Sequence, residues 1–181
     1  MNASTKKLIQ RALAAALVLL QPPLVAIAGD GATPLIDKVR NATAQYLEIS
    51  NALADHFVAA TPCVSGPDTG AMGVHFVRLD RVTKLVLDAQ QPQALIYEPM
   101  ADGAMRLVGV EFIVLDANWS AAHPGTVPAL EGNLLNYIGA PNRYGLPAFW
   151  EIHVWAWEQN PKGSYADWNT HVTCAHQPLP L

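Results

Sequence analysis

The sequence predicts an α+β fold: one long N-terminal helix packed on a mostly antiparallel sheet, in a single domain covering residues 29–181. Three observations lead there. Apolar residues recur at helical spacing from Leu35 to Phe57. Several apolar segments rich in Val, Ile and aromatic residues then follow between Gly and Pro turn signals. No internal repeat or linker divides the chain, and its length suits one adequate core.

Ahead of the domain, residues 1–28 read as a secretory signal peptide. Lys6, Lys7 and Arg11 form a positive stretch, Ala12 to Leu20 an apolar one, and Ala26-Ile27-Ala28 supplies the small residues at a cleavage site. The apolar stretch is much shorter than the about 20 residues that span a bilayer. No Cys follows it, so no stable membrane anchor is expected, and a periplasmic or secreted location is. Without Lys6, Lys7 and Arg11, eight basic residues face fifteen acidic ones, a formal charge of −7 rather than −4. That excess argues against nucleic acid and anionic membranes as partners, because both need a basic surface. A small-molecule ligand is the partner class left open, and no oligomeric state is indicated.

A helix is expected over 34–60. Leu35, Val39, Ala42, Tyr46, Ile49, Leu53 and Phe57 share one face, Thr33 caps it with Pro34 at its first position, and Thr61-Pro62 stops it. Cys63 and Cys174 are the only cysteines. In an exported chain they read as one disulfide, closing a loop of about 110 residues that contributes roughly 4–5 kcal/mol in the chain-entropy model. A metal site using His171, Cys174 and His176 is the alternative.

Residues 72–77 read as a short strand carrying His75, and 78–87 as a helical turn or an irregular crossing. Strands at 94–98 and 106–115 are joined across Asp102-Gly103 as a hairpin. The Pro- and Gly-rich stretch 116–147 has no clear period, with a short helix possible at 129–138. Phe149-Trp150-Glu151-Ile152-His153-Val154-Trp155-Ala156-Trp157 then reads as a strand, with Phe149, Glu151, His153, Trp155 and Trp157 on one face. Asn160-Pro161-Lys162-Gly163 follows as a type I turn.

Three of these strands each set one polar group in apolar surroundings: His75, Glu111 and His153. A buried polar group left unpaired costs roughly 1–3 kcal/mol, so each needs a partner. Two imidazoles and a carboxylate suit a divalent transition metal such as zinc, iron or copper with open positions. They equally suit a His–Glu pair orienting a general base, or plain satisfaction of the core in a structural or interaction module. A third reading is a sugar- or aromatic-binding module, with Trp155, Trp157 and Tyr97 as ligand-lining residues. There is no G-x-S-x-G, no phosphate-binding glycine loop, no H-E-x-x-H and no C-x-x-C, which disfavours serine hydrolase, NTPase, metalloprotease and thiol oxidoreductase chemistry.

The succession Met72-Gly73-Val74-His75-Phe76, His153-Val154-Trp155-Ala156-Trp157 and Asn160-Pro161-Lys162-Gly163 resembles an uncharacterised group of small exported bacterial proteins. Phe76 stands where that pattern has Tyr. The resemblance covers nearly all of the chain after the leader and implies secretion and a single domain. It implies no activity, cofactor or substrate.

Overall fold

The computed structural model describes residues 34–177. The signal-peptide reading of residues 1–28 and the Thr33 cap lie outside the described residues. No helix among the described residues is long and apolar enough to cross a membrane.

The expected fold, led by one long helix, is overturned: a large antiparallel sheet dominates and the helices are short. In place of the helix over 34–60 stand α1 (Pro34–Thr43), a 3-10 turn (Ala44–Leu47) and α2 (Ile49–Ala54). The break begins at Thr43, whose hydroxyl donates back to the Val39 carbonyl at 2.7 Å, a bond that bends helices. Glu48 then takes extended angles, φ −92° and ψ 108°. Asn51 Nδ2 donates to the Gln45 carbonyl at 2.8 Å, satisfying an acceptor near the break. Past α2, His56 turns left-handed at φ 63°. The bonds His56 N–H to Leu53 O and Phe57 N–H to Ala52 O then close the end as a Schellman motif. Phe57 is thereby turned into the core against Tyr46, ring centroids 5.3 Å apart. Helical spacing ran on to Phe57, but tertiary burial claimed that ring from a reversed chain.

The strands are β1 (Val58–Ala59), β2 (Val64–Gly66), β3 (Gly70–Val77), β4 (Ala94–Pro99), β5 (Met105–Leu115), β6 (Ala129–Leu130), β7 (Asn133–Leu134), β8 (Asn136–Ile138) and β9 (Phe149–Val154). Helix α3 (Leu79–Val82) follows β3, and α4 (Asp116–Ala122) follows β5. The main sheet runs β1-β3-β4-β5-β9-β8, with β2 also paired to β3, and its pairings are antiparallel. The hairpin across Asp102-Gly103 forms as read, Gly103 N–H bonding to Met100 O at 3.0 Å. No helix forms at 129–138. Glu131 and Gly132, both at positive φ, instead turn the chain between β6 and β7.

Strand alternation gives the sheet two different faces. Val74, Phe76, Leu95, Tyr97, Val110, Phe112, Ile152 and Val154 meet α1 and α2 residues such as Leu35, Val39 and Ala52 in the main core. The opposite face carries His75, Val77, Ala94, Ile96, Glu111, Ile113, Glu151 and His153, all buried or half-buried beneath loops and the C-terminal tail. Cys63 and Cys174 form the expected disulfide, Cα atoms 5.6 Å apart, which removes Cys174 from any metal site with His171 and His176. The tail is held further by buried Glu98, which accepts from Thr173 N–H at 2.9 Å and pairs with Arg106.

Candidate functional site

A cavity of about 180 Å³ lies on the loop-covered face of the sheet. Its floor is polar: His75 from β3, Glu111 from β5, and Glu151 and His153 from β9. Its walls are apolar, among them Met72, Val77, Ile113 and Phe149, and exposed Ala60 and Leu146 sit at its mouth.

Register explains the meeting of residues far apart in sequence. Glu111 stands directly opposite His153 in the β5–β9 pairing. His75 lies two strands from Glu111, with β4 between. The residue beside Glu111 on β4 is Ala94, and Gly109 stands one step along the same face of β5. Neither carries a long side chain, so the His75 ring can reach across. Its Nε2 comes to 3.5 Å from Glu111 Oε2 and 3.5 Å from His153 Nε2. The two rings meet edge to face, centroids 5.8 Å apart.

Behind each imidazole lies a polar support. His75 Nδ1 is 3.3 Å from the Thr61 hydroxyl oxygen, which also accepts the His75 backbone N–H at 3.3 Å. His153 Nδ1 is 2.9 Å from Glu151 Oε2 and 3.9 Å from Asp167 Oδ1. Asn136 Nδ2 donates to that same Asp167 oxygen at 3.2 Å. The 2.9 Å approach has the length of an ion pair without the direction of a hydrogen bond, and both of its atoms lack a hydrogen-bond partner.

Burial separates the charge states of these groups. It pushes His75 down to about 3, assisted by the neighbouring His153, so its ring is neutral at ordinary pH. Burial also lowers His153, but Glu151, Glu111 and Asp167 together outweigh it and raise the ring to about 9. Glu111 is raised well above the carboxylate range, first by burial and then by Glu151 and Asp167, with His153 opposing. Asp167 is raised too, by burial and then by Glu151.

Comparison with protein-family models, curated proteins and solved structures found no match to this chain. The functional reading therefore rests on the chemistry of the pocket.

His75, Glu111 and His153, singled out from the sequence, come together here. Tyr97, Trp155 and Trp157, read as ligand-lining, do not line the cavity. Tyr97 is fully buried on the helix side, its hydroxyl donating to Tyr46 O at 2.7 Å. Trp155 is buried and stacks on His153, centroids 6.0 Å apart. Trp157 leaves the face expected of it because β9 ends at Val154. Both Trp157 N–H and Glu158 N–H then bond to Val108 O, which breaks the alternation, and the indole turns to donate to Thr43 Oγ1 at 3.0 Å. The aromatics that do line the cavity are Tyr144, Phe149 and Trp168.

Sequence reasoning did not single out Glu151, Asp167 or Thr61 as candidates. Glu151 had a signal, since alternation set it on the face of His153. Asp167 and Thr61 had none beyond being polar residues near Trp168 and Cys63.

Proposed function

We propose that this protein binds a divalent transition metal in the pocket through His75 Nε2, His153 Nε2 and Glu111. The carrying observation is the convergence of those three donors: each offers an atom within 4.8 Å of the others, and all three residues are buried. Two of the edges are 3.5 Å. A tetrahedral ion with bonds of 2.0–2.1 Å spreads its ligands roughly 3.3–3.4 Å apart, so the edges need little closure. Two imidazoles and a carboxylate suit zinc or iron(II), with copper favoured by affinity where it is available.

Two further features support the reading. His75 is held neutral by its burial, so it presents a lone pair without first losing a proton. All three donor residues line the cavity, which leaves room for water or a small ligand beside a bound ion. A purely structural role for the histidines accounts for the 3.5 Å approach of the two ring nitrogens as a hydrogen bond but leaves the cavity above them unexplained.

Export to an oxidising compartment belongs to the same proposal, and the Cys63–Cys174 disulfide supports it. The test is elemental analysis of the chain purified natively from the exported fraction, beside the same measurement on His153→Ala. Zinc, iron or copper at one equivalent or more in the first and its loss in the second is the expected result. A metal-free native protein that takes up none of the three on titration would sink the proposal.

A further inference from the structure

His153 has a second side. Its Nδ1, the Oε2 of Glu151 and an oxygen of Asp167 form a separate group of donors within 4.8 Å of one another, sharing only His153 with the first. The His153 and Glu151 side chains are 2% and 3% exposed. Among the described residues only three buried side-chain polar atoms lack a hydrogen-bond partner, and Nδ1 and Oε2 are two of them, with Arg106 Nε the third, although Nδ1 and Oε2 lie 2.9 Å apart.

Coordination to one cation would produce that combination. Two ligands at right angles on one cation, with bonds near 2.1 Å, stand roughly 3 Å apart, and neither lies on the other's donor axis. A proton held between the same atoms would draw them into line, since a hydrogen bond weakens steeply as it bends. The 2.9 Å approach off the hydrogen-bond direction therefore matches a shared cation better than a shared proton.

We infer that a second divalent cation binds between His153 Nδ1, Glu151 and Asp167, so that the His153 ring bridges two metals. The inference rests on the first metal proposed above. Binding on the Nδ1 side displaces the last ring N–H proton to solvent and leaves an imidazolate between the ions. Charge then balances within the pocket. Glu111, Glu151, Asp167 and the imidazolate bring four negative charges, and two divalent cations bring four positive ones. Asn136 steadies Asp167 from the far side, and the Asp167 side chain is 31% exposed, which opens a path for the ion and for water ligands. Two carboxylates and one imidazole make this position harder than the first, so it suits zinc, manganese or iron(II).

The full folded chain, stripped of metal, is titrated with zinc against a competing chelator that keeps exposed histidines unloaded. Wild type is expected to take two equivalents, Asp167→Asn one, and Glu151→Gln one if the first substitution disturbs folding. A doubly copper-loaded sample should show a weakened paramagnetic signal, because the bridging ring couples the two ions. One equivalent in wild type and in Asp167→Asn alike would overturn the bridge and leave the first site standing. Two equivalents in Asp167→Asn and in Glu151→Gln would overturn it as well, since the second ion would then sit elsewhere. No uptake at all would remove both sites.

Discussion

Each pocket imidazole has one ring nitrogen turned into the cavity cluster and one facing a support behind it. For His75 the support is the Thr61 hydroxyl, 3.3 Å from Nδ1. Groups that orient a ligating histidine are worth about 10–100-fold in metal affinity. Thr61→Val, which keeps the shape and removes the hydroxyl, should weaken zinc binding by about that factor in a chelator-competition titration. A change below about twofold would mean that the hydroxyl does not set the ring. The same residues set a pH dependence. His153 is raised to about 9 and Glu111 is raised above the carboxylate range, so both hold protons near neutrality. A metal must displace those protons. Zinc affinity should therefore rise as pH increases from 6.5 towards 9, with proton release visible to an indicator dye in weakly buffered solution at pH 7. Uptake that is flat across that range and releases no protons would contradict the assignment. His75, at about 3, should contribute nothing to the release.

Strand β3 carries the reach of His75 at the level of the element. Gly73 sits two residues before it at φ 110°, where a side chain is strained whatever the space. The space is absent as well: a Cβ there would lie 2.7 Å from Tyr97 O and 2.9 Å from Ile96 Cγ2. Gly73→Ala should cost about 2 kcal/mol or more in urea unfolding and should shift His75 enough to weaken metal binding. A variant as stable as wild type would show that β3 can relax there at no cost. The broken N-terminal helix teaches a related lesson. Tyr46 and Phe57 both lay on the helical stripe and both are buried, yet the chain between them bends at Glu48 and reverses at His56. Periodicity reported which residues go inside, and packing chose the path that takes them there.

Over the whole molecule, the disulfide joins the two segments that flank the pocket mouth. Thr61 lies two residues before Cys63, and Asp167 and Trp168 lie seven and six residues before Cys174. Cys63→Ser with Cys174→Ser should lower stability by about 2–5 kcal/mol, read as a lower thermal midpoint. It should also loosen the tail, so zinc binds more weakly even well below that midpoint. Unchanged affinity in the folded double variant would show that the tail stays seated without the bond. The central hairpin was legible because an Asp-Gly turn between two apolar runs is a local signal. The cysteine pairing was legible from number, two cysteines in a chain whose leader reads as an export signal. Helix α4, in the stretch without a clear period, was not: it has no fully buried residue to mark a stripe.

The sequence by itself determined that His75, Glu111 and His153 are inward polar groups, because each stands alone among apolar neighbours on a strand of period two. It also determined the central strands β3, β4, β5 and β9 and which cysteines pair, but not β1, β2 or β6 to β8, which fall where a helix or a loop was expected. Only the tertiary structure decided that the three groups meet. That depends on Glu111 and His153 falling opposite one another, and on Ala94 and Gly109 leaving room for His75 to cross a strand. Register and clearance are relations between segments far apart in the chain, and no local pattern encodes them. For the same reason Asp167 was invisible as a partner of His153 until the tail folded back over the sheet.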